Sequence, residues 1–326
     1  MVPTSTGARL APNGLSVNSS VIPVTLERVT HRLLLDVSSM MYRAFFAMGE
    51  TVSAPDGRST GALHGYLDMV ARLIVSRRPD EVNHAYDHDW RPVARTDIYP
   101  AYKANRPPDP EALPEQFTLL RSVLDLTGMT QVQTRGWEAE DAIGAICKDA
   151  LETDRLEIVS GDRDLIQLVR DPVVRLLFTL RGVSDLGVFD EAGVLEKYGV
   201  PASRYAEFAI LRGDPSDGLP GVRGVGEKTA RTLIQTYGSL AELLEDAAVT
   251  EPRPGPLKGK PALRAQLLAS SEYLAAMQRL VPVNAEAPID RWSGHRDDAA
   301  LGALAEELGV RGPAQRLRAA LDLIQA

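Results

Sequence analysis

The sequence predicts an α/β fold, a mostly parallel sheet flanked by helices, and three observations predict it. Short apolar runs of strand length alternate with segments of helical period between residues 31 and 180. Several of these runs end on a carboxylate, where parallel strands present their chemistry. Beyond Gly193 the pattern becomes mainly helical, with glycine and proline at turns.

The first 30 residues are rich in Ser, Thr, Pro, Gly and Val without period, and they lack the charged start and apolar stretch of a secretory signal. A flexible tail over 1–30 is expected. Leu33-Leu34-Leu35 then reads as a buried strand ending at Asp36, with Ser38 or Ser39 as N-cap of a helix over 40–48. A helix over 61–76 leads to a strand over 81–86 and Asp87. Residues 91–114 hold prolines, basic residues and the aromatic pair Tyr99 and Tyr102. Proline removes a backbone donor and clashes with the preceding turn, so this stretch is expected to be a loop or broken helical arch over the site. A helix over 115–126, a strand over 130–133, a helix over 139–151 and strands over 156–159 and 173–179 complete the sheet. Residues 31–200 form the expected core, and 201–326 a helical region with a hairpin over about 213–237.

Of 326 residues, 44% are hydrophobic, enough to bury a large core. No apolar run approaches the roughly 20 residues of a membrane span. Cys147 is the only cysteine, which rules out an internal disulfide and thiolate zinc, and fits a reducing cytoplasm. The histidines His31, His64, His84, His88 and His295 show no ligand spacing and read as structural or surface residues. The formal charge of −8 argues at first against nucleic acid. Much of the acid lies in a candidate metal site, however, and basic residues gather over 91–106 and 223–231.

The candidate site is a set of carboxylates: Asp36, Asp87, Glu138, Glu140, Asp141, Asp162, Asp164, Asp214 and Asp217. Gathered at one place they would repel one another unless hard cations held them, so the reading is two divalent ions, Mg²⁺ or Mn²⁺. Glu138 and Asp141 share a face of a regular helix, whereas Glu140 lies about 200° from Glu138. All three face inward only if the helix begins within the motif, which favours Glu138 and Glu140 over Asp141.

Two further constellations accompany the acids. The turn containing Gly221, Gly224 and Gly226, followed by Lys228, Thr229 and Arg231, suits a helix-hairpin-helix that grips a duplex backbone without reading sequence. Its spacing is not that of a nucleotide-binding P-loop. Arg43, Lys103 and Arg106 are the candidate cations for a scissile phosphate. Tyr42 is the candidate for stacking on an unpaired base, while Phe45 and Phe46 suit the core of its helix.

Taken in order, Leu33 to Asp36 with Tyr42-Arg43-Ala44-Phe45-Phe46-Ala47, Tyr102-Lys103-Ala104-Asn105-Arg106, Gly136-Trp137-Glu138-Ala139-Glu140-Asp141, Ser160-Gly161-Asp162-Arg163-Asp164-Leu165 and Gly213-Asp214-Pro215-Ser216-Asp217-Gly218-Leu219-Pro220-Gly221-Val222 resemble the bacterial 5′-3′ exonuclease and flap endonuclease family. The resemblance extends to the nuclease domain at the front of bacterial DNA polymerase I and spans residues 31–290. It implies a PIN-like core, an arch that threads a 5′ single strand, and a hairpin holding duplex DNA around K⁺. Asp36, Asp87, Glu138, Glu140, Asp162, Asp164 and Asp217 would hold the two metals, with Asp141 and Asp214 auxiliary. The implied activity is removal of 5′ flaps and 5′ ends from DNA in replication and repair, with nicks and RNA-DNA hybrids as further substrates. A bacterial, cytoplasmic, monomeric and stand-alone enzyme is expected. The alternative is a catalytically impaired protein that binds branched DNA. Glu140 replaces the usual Asp, and Gly218-Leu219 replaces Asn-Ile; altered metal spacing and hairpin geometry are the expected consequences.

Overall fold

Apolar runs bounded by turns and acids give strands here, and amphipathic runs give the helices that cover them. The computed structural model describes residues 30–49 and 52–324, so the tail expected over 1–30 lies, but for Thr30, outside the described residues. In chain order come β1 (His31–Asp36), α1 (Val37–Met48), α2 (Gly61–Arg77), β2 (Glu81–Tyr86), α3 (Val93–Thr96), α4 (Leu113–Asp125), β3 (Thr130–Thr134), α5 (Ala139–Lys148) and β4 (Arg155–Ser160). Then follow β5 (Val174–Thr179), β6 (Leu186–Phe189), α6 (Glu191–Tyr198), α7 (Tyr205–Arg212), α8 (Glu227–Thr236), α9 (Leu240–Ala248), α10 (Pro261–Ala269), α11 (Ser271–Leu280), β7 (Ile289–Ser293), α12 (Asp298–Glu307) and α13 (Arg311–Leu321). No helix among the described residues is long and apolar enough to cross a membrane.

The strands form one sheet in the order β6-β5-β4-β1-β2-β3-β7. The five inner strands are parallel, and β6 and β7 close the edges antiparallel. Side chains alternate across the pleat: Leu34 joins the apolar cluster of α5 and α7, while Leu33 and Leu35 join that of α1, α2 and α4 on the other face. From β1 the chain runs outward through β2 and β3, then returns to place β4 on the other side of β1. This reversal opens a crevice at the carboxyl ends of β1 and β4, the position where ligands bind in open α/β sheets.

Three elements differ from expectation. The edge strands β6 and β7 are additional, and β7 pairs with β3 across more than 150 residues of chain. The C-terminal region is therefore not helical throughout: β7 joins the sheet, and α13 packs on α2. The helix expected over 40–48 begins at Val37, and its cap is neither Ser38 nor Ser39. Asp36 itself caps it, accepting from the Ser39 N–H at 3.0 Å. A carboxylate at the N-terminus of a helix meets unpaired N–H groups and positive potential, so the strand-end acid is also oriented by the helix it starts.

Candidate active site

Each strand that borders the crevice delivers an acid at its carboxyl end. Asp36 closes β1, Asp87 follows β2, and Asp162 follows β4. Asp36 also accepts from Ser160 Oγ at 2.6 Å. Asp87 accepts from Ser38 Oγ at 2.5 Å and from the Ala139 N–H at 2.7 Å, which ties β2 to the starts of α1 and α5. Gly161 makes room for this convergence: a Cβ there would lie 3.2 Å from Arg43 Nη2 and 3.3 Å from Ser39 Oγ.

These groups open into a groove of about 1940 Å³. Asp36, Asp87, Glu138, Glu140, Asp162 and Asp214 line it; Asp141, Asp164 and Asp217 do not. Arg43, Lys103 and Arg106 line it as well, with Tyr42. The structure thus brings most of the expected acids and all three expected cations to one surface.

Burial first, and mutual repulsion after it, raise the pKa values of these acids. Burial, then Asp87 and Asp162, push Asp36 up to about 7. Burial and then Glu138 raise Asp87. Glu140 is raised well above its ordinary value, chiefly by burial, with Arg95 working against it. Groups this reluctant to carry charge together call for a cation. The donor set is all oxygen, from carboxylates and nearby hydroxyls, which fits Mg²⁺ or Mn²⁺ rather than a soft metal. Among the described residues, no three acids, histidines or cysteines stand as a ready-made metal site. Glu138 lines the groove while receiving hydrogen bonds from Arg95, Lys103 and the Tyr102 hydroxyl, the last at 2.8 Å.

The start of α5 separates its three acids. Glu138 is the N-cap, 4% exposed, and forms a reciprocal capping box with Asp141. Asp141 is fully buried and accepts from the N–H groups of Glu138 (3.1 Å) and Asn284 (2.8 Å) and from Arg95 at 2.9 Å. It is a structural anchor, turned away from the groove. Asp164 opens a 3₁₀ turn, its N–H donating to Asp162 at 2.8 Å. Asp214 caps the 3₁₀ turn Pro215–Asp217 through the Ser216 N–H at 2.9 Å, and Asp217 is paired with Arg106.

The segment expected to arch over the site is α3 followed by turns, and it packs down on the groove. Lys103, 7% exposed, has φ of 53° and holds Glu138. Burial opposes its charge, but Glu138, Asp217 and Glu140 outweigh that and raise its pKa. Arg43 Nη1 donates to the Leu180 carbonyl at 3.2 Å, and the Tyr42 hydroxyl donates to Asp109.

In the hairpin between α7 and α8, Val222 and Val225 are buried and fix the turn. Gly221 has φ of 68°, and a Cβ there would meet the Arg212 carbonyl oxygen at 2.5 Å. Its N–H donates to the Tyr273 hydroxyl. Gly224, Gly226 and Lys228 are exposed and Thr229 partly so. Arg231 is drawn inward, donating to the Tyr198 carbonyl at 2.6 Å and pairing with Glu227 at 2.9 Å.

Sequence reasoning missed several lining residues. Phe46, assigned to the core, is 72% exposed in the groove; Trp90 (51%) and the cations Arg72, Arg163 and Arg181 are exposed there too, and Arg121 lines it half-buried. Arg95 was missed altogether: three acids within one helical turn, at 138, 140 and 141, call for a counter-charge, but nothing in the sequence says which cation supplies it.

Strand-end carboxylates facing a wall of arginines and a lysine define a class of protein, the metal-dependent nucleases, in which acids take cations and bases take phosphate. Comparison with known proteins agrees. The profile described as 5′-3′ exonuclease, N-terminal resolvase-like domain, matches residues 31–199, and that of the 5′-3′ exonuclease, C-terminal SAM fold, matches 200–297. The chain belongs to the 5′-3′ exonuclease family, and is a 5′-3′ nuclease, a hydrolase. It is 42% identical to a 5′-3′ exonuclease of Streptomyces coelicolor over 87% of this chain and 98% of that one. A 5′-3′ exonuclease of Mycobacterium tuberculosis is 41% identical over 90% and 98%. The fold is shared with a T5 protein co-crystallised with metal ions (TM-score 0.63, 20% identity, 90% and 99% covered). It is shared also with the catalytic core of Rad2 in complex with a DNA substrate (TM-score 0.54, 16% identity, 90% and 91% covered).

Proposed function

We propose that the chain cuts DNA at the base of 5′ flaps, at nicks and at 5′ ends, and removes RNA from RNA-DNA junctions, as a monomer in the bacterial cytoplasm. The observation that carries this reading is that Asp36, Asp87 and Asp162 meet at the crevice in one groove with Arg43, Lys103 and Arg106. Asp36, Asp87, Glu138, Glu140 and Asp162 are the residues to hold two Mg²⁺ or Mn²⁺ ions, with Asp164, Asp214 and Asp217 supporting them. Such ions, when bound, make water nucleophilic at neutral pH and stabilise charge on the leaving oxygen.

The chain's own groups do the rest. Lys103 and Arg106 exchange their carboxylate partners for phosphate oxygens, and Arg43 steadies the phosphate from α1. Tyr42 stacks on the terminal base. Gly221 shapes the hairpin, and Gly224, Gly226, Lys228 and Thr229 face the duplex backbone. Arg231 serves there by bracing α8 against Tyr198, and the turn over 221–226 would hold K⁺, which would supply positive charge toward the DNA backbone.

The test is a panel of labelled flap, nicked, single-stranded and RNA-DNA substrates. Faster cleavage of the flap than of single strands is expected. Tight flap binding with no product even in millimolar Mn²⁺ would replace this reading with that of a branched-DNA binder.

A further inference from the structure

We propose that Arg95 is the positioning residue of the acidic helix start: a buried guanidinium, anchored on Asp141, that aims Glu138 and Glu140 at the groove and so sets the site's affinity for divalent cations. The inference rests on the metal-site reading above.

Arg95 reaches α5 from α3 and is 2% exposed. Its Nη2 lies 2.9 Å from Asp141 Oδ1 and 2.6 Å from Glu140 Oε1, and its Nη1 donates to Glu138 Oε2. Its planar face lies 5.9 Å from the Tyr102 ring centroid and 5.7 Å from that of Trp137. One planar fork thus binds all three acids of the turn and lies within cation–π range of two rings, a geometry an ammonium cannot reproduce.

Asp141 is the fixed point. Its oxygens are taken by Arg95 and by the N–H groups of Glu138 and Asn284, and it does not line the groove. Glu138 and Glu140 do line it. Lys103 also touches Glu138, but it lines the groove, whereas Arg95 does not and lies behind the acids.

A cation beside metal ligands can act in two opposite ways. As a mere counter-charge it competes with the incoming ion, and its removal would tighten metal binding. As a positioning group it holds like charges in place, and its removal lets them repel and rotate, weakening binding although the site becomes more negative. Loss of a group that orients ligands typically costs about 10- to 100-fold in metal affinity.

The experiment is Mn²⁺ titration of the full chain, read by the EPR signal of the free ion, for the unmodified protein, Arg95→Met and Arg95→Lys, with folding checked by near-UV circular dichroism. The Met variant is expected to bind at least about tenfold more weakly, and the Lys variant to fall between. Equal or tighter binding by the Met variant overturns the inference. Should that variant fail to fold, equal or tighter binding by Arg95→Lys overturns it instead. An unmodified protein that takes up no Mn²⁺ would remove the metal-site reading itself, a result distinct from variants that match the parent.

Discussion

The backbone N–H of Lys103 donates to the carbonyl oxygen of Asp217 at 2.9 Å, joining the arch segment to the start of the hairpin. The same residue reaches across to Glu138 with its ammonium. Lys103 therefore links three parts of the site that are remote in sequence, and it adopts a positive φ to do so. A non-glycine residue in that region marks a backbone held by its surroundings.

Replacing Lys103 with Met should leave the protein folded and lower the single-turnover cleavage rate by about 10²- to 10³-fold, the effect of losing one donor to developing charge. Flap affinity, measured by anisotropy in Ca²⁺, should fall less than about tenfold, because one phosphate contact among many is lost. A rate within twofold of the parent would exclude Lys103 from the chemistry.

Without metal, stability should fall as pH rises through neutrality. Asp36 titrates near 7 in the fold, against about 3.9 in an unfolded chain. An acid with a raised folded pKa favours folding while protonated; that contribution is complete below about pH 4 and is lost as pH passes 7. In EDTA, Tm should drop by at least roughly 2 °C between pH 6 and pH 8. Millimolar Mg²⁺ should remove most of the drop, and an identical pH profile with and without Mg²⁺ would contradict the assignment.

Glu157 carries the opposite sign. It is fully buried on β4 and accepts from Arg77 Nε at 2.7 Å, Arg155 at 2.6 Å and His31 at 3.1 Å. Burial alone would raise its pKa, but these hydrogen bonds outweigh burial and depress it. Its contribution is present above the unfolded value of about 4.3 and lost as pH falls through the lower folded value. Glu157→Gln should cost about 3 kcal/mol at pH 7 by urea unfolding, with a smaller difference from the parent at pH 3.5.

The hairpin glycines should separate by position. A Cβ at Gly221 meets backbone atoms at 2.5 Å, so Gly221→Ala should destabilise the fold and weaken duplex binding together. Gly224 has φ of 81° but open space around it. Gly224→Ala should cost only about 1 to 2 kcal/mol of backbone strain while still reducing duplex affinity. Thermal melts beside anisotropy titrations would show both.

Cys147 is buried within α5, and burial pushes its thiol up to about 12. Native protein at pH 8 should leave Ellman's reagent unreacted, and urea should release one thiol. Rapid labelling of the native state would place Cys147 elsewhere.

What was legible in the sequence was local. Leu33-Leu34-Leu35 before Asp36, or Leu156 to Val159 before Ser160, announce strand ends by an apolar run meeting a polar turn. The pairing of β7 with β3 was not legible, since five residues after a long helical stretch carry no period that points to a sheet edge. The preference for Glu138 and Glu140 over Asp141 was legible from a helix starting within the motif, whereas the anchoring of the three acids was not. That anchoring depends on Arg95, a residue that reads from sequence as one more surface arginine in a basic stretch. Tertiary contacts decide how the acids are held, and the 3.6-residue period alone does not contain them.

The central claim is most directly tested with a 5′-labelled flap duplex incubated with the protein in millimolar Mg²⁺ and in EDTA. Cleavage at the flap junction in Mg²⁺, leaving a 5′-phosphate and a 3′-hydroxyl, with none in EDTA and recovery on adding excess Mg²⁺, is the predicted result. Equal cleavage under both conditions would contradict it.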